Sequence, residues 1–290
     1  MLRILPPPEW NFVGDGDFTA IGELLLRRFI DVGGLCPHHH VLDVGCGIGR
    51  MAIPLTGYLS SAARYEGFDI VPRGIQWCQE HITPCYPNFH FQWIDLYNQA
   101  YHPNGSIAPH RFCFPYADQS FDFVLLTSVF THLLPAELEN YLFEIARVLK
   151  IGGRCFATFF LLNPEARERI RLGKSAFDFR FGTQTCRCCQ PHVPEQAVAY
   201  DEDHVLRLYQ RWGLRVRHPI HHGSWCRETA CLLPQDIVVA TKTEQVRLSA
   251  RLWGLRRLPF PVLSWPVRCS ALYWRARQYI ARRWTMRTGS

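Results

Sequence analysis

His40-Val41-Leu42-Asp43-Val44, followed at once by Gly45-Cys46-Gly47-Ile48-Gly49-Arg50, is a short apolar strand running into a glycine-rich turn. Glycine at three alternate positions permits a sharp turn and lets a ligand reach backbone N–H groups directly. In open α/β sheets ligands sit beyond the carboxyl ends of the strands, where such strand-to-helix turns lie. Two details narrow the ligand. The dinucleotide pattern G-x-G-x-x-G/A needs a small residue at position 50 for close helix packing, and this chain has Arg50. Asp43 puts a carboxylate where an anionic pyrophosphate would lie, so a cationic ligand suits the turn better.

Working outward, strands and helices alternate. The spacing of Phe18, Ile21, Leu25 and Phe29 predicts a helix from Phe18 to Val32, ended by Gly33-Gly34. The glycine turn opens a helix through about Leu59. A strand over Tyr65–Asp69, a helix over Pro72–His81 and a strand over Phe89–Asp95 follow. Residues 96–120 read as a long irregular stretch. A fourth strand, Phe121–Leu126, leads to a helix with Pro135 at its start and Gly152-Gly153 after its end. A fifth strand spans Arg154–Leu161, residues 163–200 form an insertion, and Asp203–Trp212 reads as a helix. Leu214–Ile220 and Gln235–Thr241 are two last strands with no helix between them, so they are expected to pair antiparallel at the sheet edge. The expected fold is α/β, a doubly wound, mostly parallel sheet with helices on both faces. Three regions result: an N-terminal arm and helix (1–34), the α/β domain (35–245) and a C-terminal extension (246–290).

Asp69 ends the second strand about 20 residues beyond the turn, where an acid accepts hydrogen bonds from an adenosine ribose. Asp95 ends the third, placed to take an adenine amino group while Leu96 packs on the ring. Three acids at three successive strand ends point to an adenosine ligand with a cationic end, and S-adenosylmethionine carries an ammonium group as well as its sulfonium.

Four stretches, Val41–Arg50, Gly67–Asp69, Phe121–Leu133 and Arg147–Arg154, closely resemble the motifs of class I S-adenosylmethionine-dependent methyltransferases. The resemblance covers roughly residues 35–245. It implies the sheet order 3-2-1-4-5-7-6 with the seventh strand reversed. It also implies S-adenosylmethionine as cofactor, with its methionine end along Asp43, Gly45, Cys46, Gly47 and Gly49, ribose at Asp69, adenine at Asp95 and Leu96, and a cofactor wall at Thr127, Ser128 and Val129. The Asn/Asp-Pro-Pro-Tyr/Phe motif of amino-nitrogen DNA and protein methylators is absent, since Thr127-Ser128-Val129 follows the fourth strand. A small or medium-sized organic acceptor is therefore expected, a hydroxyl or amine of a sugar, lipid or secondary metabolite.

Methyl transfer from a sulfonium is an in-line displacement, and much of its acceleration comes from alignment. A hydroxyl acceptor must also lose a proton, which general-base help speeds by about 10²–10⁴. The candidates near the strand ends are His132, Tyr200, His221 and His222, with His132 preferred because it follows the fourth strand directly. Strand alternation should split His221 from His222. Trp10, Phe12 and Phe18, around Gly14 and Gly16, read as a lid able to close over a small molecule.

The overall charge of +7 is unevenly spread. Ten arginines and four tryptophans, with no acid, lie between Val246 and Ser290, which leaves residues 1–245 slightly acidic. Such a tail suits an anionic membrane surface or RNA, or a helix packed on the body. A chain that binds the cofactor without turnover and docks through this tail is the alternative to an enzyme. No apolar run approaches the roughly 18–20 residues that span a bilayer, and no export signal is visible, so a cytoplasmic, at most membrane-peripheral protein with free thiols is expected. Cys186, Cys188 and Cys189 form one cluster with His192 nearby, whereas a zinc site wants two separated ligand pairs; no metal is expected.

Overall fold

The computed structural model describes residues 5–14, 16–227 and 231–243; the Arg/Trp-rich tail and the docking role read from it lie outside the described residues. The described residues form eleven strands: β1 (Val41–Val44), β2 (Tyr65–Asp69), β3 (Phe89–Trp93), β4 (Phe121–Leu126), β5 (Leu149–Phe159), β6 (Leu161–Leu162), β7 (Phe181–Gly182), β8 (Cys186–Cys188), β9 (Val198–Asp201), β10 (Leu214–Val216) and β11 (Asp236–Lys242). Seven make the main sheet, in the order β3-β2-β1-β4-β5-β11-β10. The first five pair in parallel, while β11 runs antiparallel to both β5 and β10. Numbered within this sheet alone, that is 3-2-1-4-5-7-6 with the seventh strand reversed, as expected.

Side-chain alternation along the strands divides the core. Leu42, Val44, Val124, Leu126 and Ala157 face one side, packed with residues of α4 (Pro135–Val148) and α6 (Glu202–Arg211). Val41, Tyr65, Phe123, Leu125 and Phe156 face the other, with α1 (Phe18–Asp31), α2 (Ala52–Thr56) and α3 (Pro72–His81). Helices on both faces make the sheet doubly wound. No described helix is long and apolar enough to cross a membrane.

One local expectation is corrected. The helix after β4 does not end on Gly152-Gly153: it stops at Val148 and β5 starts at once. Gly152, at φ +83°, lies where the β4–β5 register shifts, so the glycines serve a strand irregularity. Residues 96–120 are irregular but firmly held. The guanidinium of Arg147 donates to the carbonyls of Phe114 and Tyr116 and to Asp118, and buried Glu144 accepts the Phe114 N–H. The insertion contains α5 (Pro164–Arg171), β7, β8 and most of β9, and with β6 it builds a second sheet, β6-β9-β8-β7. Phe160, Phe179 and Trp225 form its own aromatic cluster.

α1 belongs to the body. Asp17 caps it by accepting the Ala20 N–H at 2.7 Å, and Phe29 meets Phe123 and Phe156 edge-on, with centroids 6.3 and 5.0 Å away. Phe29→Ala should therefore cost about 3–5 kcal/mol by cavity formation, measured as a lowered urea midpoint with unchanged slope. Trp10→Ala in the arm should shift the midpoint far less.

Candidate functional site

The register Asp43↔Gly67 and Asp43↔Leu125 brings the carboxyl ends of β1, β2 and β4 together. Asp43 is fully buried there. Its Oδ2 accepts a 2.6 Å hydrogen bond from the Tyr65 hydroxyl, and its Oδ1 has no partner. Burial pushes this carboxyl up to about 7, the Tyr65 hydrogen bond works against that shift, and nearby Asp69 adds to it.

The glycine turn is left-handed at each glycine; Gly45 and Gly47 sit at φ +77° and +59°. A side chain at either would also collide: a Cβ on Gly45 would lie 2.5 Å from Val129 Cγ2, and one on Gly47 would run into Val13 Cγ1. Asp69 clamps the turn, its Oδ2 accepting from Gly47 N–H and its Oδ1 from Val71 N–H, each at 2.8 Å. Burial raises the Asp69 carboxyl while these backbone bonds pull it back. Next to the turn, buried Arg50 leaves Nε and Nη1 without a hydrogen-bond partner. Cys46 is buried, and its thiol is pushed well up by that burial.

Asp95 is engaged on both oxygens, by His102 Nε2–H at 2.7 Å and by the Ser106 hydroxyl at 2.6 Å, which holds it below the usual carboxylate range. Leu96 is buried in the core on the α4 side. At the end of β4, Ser128 holds a left-handed φ of +60°, a strain of order 1–3 kcal/mol for a residue with a Cβ. Its N–H donates to Thr158 Oγ1 at 2.8 Å, and its hydroxyl donates to Gln235 Oε1 at 3.0 Å, the same oxygen that takes the Thr158 hydroxyl at 2.6 Å. Thr127 is buried with its hydroxyl unpartnered, and Val129 closes on Gly45.

A family model described as a methyltransferase domain matches residues 42–157, which takes in the glycine turn, all three acids and the β4 wall. The PH0226 protein of Pyrococcus horikoshii OT3 is similar in structure, with a TM-score of 0.54 at 16% identity, over 81% of this chain and 96% of that one. Magnesium protoporphyrin IX methyltransferase from Synechocystis PCC 6803 gives 0.49 at 17% identity over 79% and 90%. The 1,6-didemethyltoxoflavin-N1-methyltransferase of Burkholderia thailandensis gives 0.48 at 16% over 79% and 80%. At such identities the solved structures speak to the fold alone. Residues 42–157 thus resemble a methyltransferase domain, and the sheet has the fold of the solved structure it matches best in TM-score among these.

The base candidates fare differently. His132 donates from Nδ1 to the Glu195 carbonyl at 2.8 Å, and its Nε2 meets the Tyr101 hydroxyl at 3.3 Å, so both ring nitrogens are taken; burial lowers its pKa. Tyr200 is fully buried and donates to the Leu133 carbonyl at 2.6 Å, its phenol pushed well above the ordinary range. The two neighbouring histidines part as alternation requires. His221 has its pKa lowered by burial and by the charge of Arg28 on α1, and His222 pairs with Glu202 of α6 at 2.7 Å. Sequence reasoning missed Glu202, Thr158 and Gln235, which carry no motif.

Within the arm, Phe12 lies against Gly74 and Gly47, and Trp10 stacks under Arg73, 5.6 Å from its ring centre; Phe18 packs at the start of α1. Cys186, Cys188 and Cys189 are free thiols, and no group of three or more metal-ligating side chains gathers among the described residues.

Asp43 gives the site a pH signature. An acid whose pKa is raised by folding holds its proton more tightly in the native state, so its contribution to stability falls as pH rises from about 4 to about 7. Asp43→Asn removes that fall. The variant should gain on wild type by an order of a few kcal/mol between pH 4 and pH 8, read as the difference of their denaturation midpoints at each pH.

Proposed function

We propose that the carboxyl ends of β1 to β4 form the cofactor cradle, and that the protein transfers a methyl group from S-adenosylmethionine to a small or medium-sized organic acceptor, a hydroxyl or amine of a sugar, lipid or secondary metabolite. The observation that carries the cofactor half is the unpartnered Asp43 Oδ1, a buried carboxyl oxygen beside a turn that tolerates no side chain. An acid raised to about 7 by burial is stabilised by an incoming ammonium, which supplies both the counter-charge and the missing donor. In this reading the methionine end lies along Gly45, Cys46, Gly47 and Gly49, Asp69 takes the ribose and Asp95 the adenine side. Thr127, Ser128 and Val129 form the wall between cofactor and acceptor. When bound, the cofactor supplies an electrophilic methyl on a sulfonium.

The protein's own contribution is alignment and exclusion of water. Ser128, locked into a left-handed conformation by Thr158 and Gln235, fixes the wall. The arm supports the second role, since Val13 and Phe12 already sit over the glycine turn. It must lift to admit cofactor and reseat behind it, the gating that lids perform.

Titration calorimetry tests the cradle. Wild type should bind S-adenosylmethionine and not NAD. Asp43→Asn, which keeps the shape and removes the charge, should weaken binding about 10- to 150-fold, the equivalent of about 1.5–3 kcal/mol for a charge-assisted hydrogen bond. NAD binding without S-adenosylmethionine binding would overturn the proposal.

A further inference from the structure

The acceptor side of the sheet holds a second polar assembly that the cofactor cradle does not use. Because β11 runs antiparallel, its first residue, Asp236, lies opposite Phe159 at the carboxyl end of β5. Asp236 is buried, and its carboxylate accepts from Leu161 N–H at 2.6 Å, Gly223 N–H at 2.7 Å and the Trp225 indole at 2.9 Å. The 222–225 loop is thereby pinned to the strand ends. The preceding residue, Gln235, carries the hydrogen bonds to Thr158 and to Ser128 of the cofactor wall. His222, one position before Gly223, is thus held on a framework continuous with that wall.

His222 donates from Nε2 to Glu202 Oε2 at 2.7 Å. Asn163 donates from Nδ2 to the same oxygen at 3.1 Å, while its own Oδ1 caps α5 by accepting the Ala166 N–H. Glu202 opens α6, so its backbone is fixed as well. With the proton committed to Nε2, the Nδ1 lone pair of His222 accepts no hydrogen bond from any described residue, and the side chain is partly exposed. Leu161, Asn163, Gly223 and Trp225 line the small cleft beside it. Of the four candidate bases, His222 alone joins an uncommitted ring nitrogen to a carboxylate partner.

Resting on the methyltransferase reading above, we propose that the acceptor is a hydroxyl compound bound beside His222, that His222 Nδ1 removes its proton, and that Glu202 is the positioning residue that fixes the imidazole tautomer. As the acceptor oxygen forms its bond to the methyl carbon, the carbon–sulfur bond breaks and its electron pair returns to sulfur, leaving a neutral thioether. The O–H proton passes to Nδ1, the resulting imidazolium is stabilised by the Glu202 carboxylate, and the proton then leaves to water. The charges facing His222 agree with this role. Glu202 does most to raise its pKa and Asp236 adds to that, while burial and Arg227, itself paired with Glu165 at 2.7 Å, oppose it.

Three measurements on the full chain test the dyad: calorimetric S-adenosylmethionine binding, a nitrogen-15 NMR titration of His222, and label transfer from methyl-labelled S-adenosylmethionine into the small-molecule extract of the source cells. His222→Gln should bind cofactor within about twofold of wild type yet transfer label about 10²–10⁴-fold more slowly. In wild type His222 should titrate as the Nε2–H tautomer. Glu202→Gln should lower its titration midpoint and move the acid limb of transfer to lower pH, and Glu202→Asp should restore part of the rate. Wild-type transfer retained in His222→Gln overturns the dyad and leaves the cofactor reading intact. A His222 midpoint unmoved in Glu202→Gln overturns the role of Glu202. Wild-type protein that binds cofactor but labels nothing in the extract overturns the small-molecule reading, and the dyad with it.

Discussion

A carboxyl group sealed at the end of a central parallel strand sets the terms for the rest of the molecule. Asp43 lies on β1, between β2 and β4, where burial of its charge costs several kcal/mol unless something compensates. The fold offers one hydrogen bond, from Tyr65 on β2, and no more. Tyr65 is itself wedged between strands, stacked on Phe89 of β3 with centroids 4.7 Å apart, so its hydroxyl cannot swing away. The glycine turn that follows Asp43 carries backbone N–H groups, yet Asp69 takes the one on Gly47, and Asp43 is left half satisfied. A buried acceptor left open in this way is the kind of deficit that a ligand donor can repay, and a positively charged donor would also offset the buried charge.

The acceptor side follows from a different constraint, the reversal of β11. A seventh strand laid antiparallel brings its first residues, not its last, to the carboxyl edge. Gln235 and Asp236 therefore stand beside Ser128 and Thr158 although they are 107 and 77 residues apart along the chain for the pairs that bond through Gln235. The left-handed strain at Ser128 is held by those two bonds, and the loop that presents His222 is held by two bonds to Asp236, from Gly223 N–H and the Trp225 indole, while Leu161 N–H supplies a third from β6. One edge hairpin thus fixes both the Ser128 segment after β4 and the loop that carries His222.

These two halves differ in how readable they are from sequence. The candidate cradle is local: Asp43 and the glycines fall within seven residues, Asp69 ends β2, and Asp95 lies two residues beyond the end of β3 at Trp93. The sheet order follows from strand–helix alternation and from the lack of a helix between the last two strands. Glu202, Thr158 and Gln235 have no such signature, because their roles arise from contacts across the chain and each is an ordinary polar residue in its own segment. Nor does the sequence around His132 show that Tyr101 and Glu195, distant along the chain, meet its two ring nitrogens. Gly152-Gly153 misled for a related reason. A glycine pair serves a helix end and a strand irregularity equally well, and only the β4–β5 register separates them. The strands of the second sheet are two to four residues long, too short for any periodicity to emerge.

The second sheet bears on how the fold divides its work. Its aromatic cluster of Phe160, Phe177, Phe179 and Trp225 is separate from the two cores that flank the main sheet. It joins the body through Leu161, Val198 and Tyr200, which lie in the core on the α4 side, and through polar ties: Trp225 to Asp236, Tyr200 to the Leu133 carbonyl, and Gln99 to the His192 carbonyl. The insertion also leaves and re-enters the domain at the acceptor edge, with Asn163 at its start and Glu202 just past its end sharing one hydrogen bond. The second sheet is therefore anchored on the main core at β6 and β9, while its far side packs on aromatic residues of its own. The hydrogen bonds through Gln235 and Asp236 then tie that aromatic side, by way of Trp225, to the strand ends at Ser128 and Thr158.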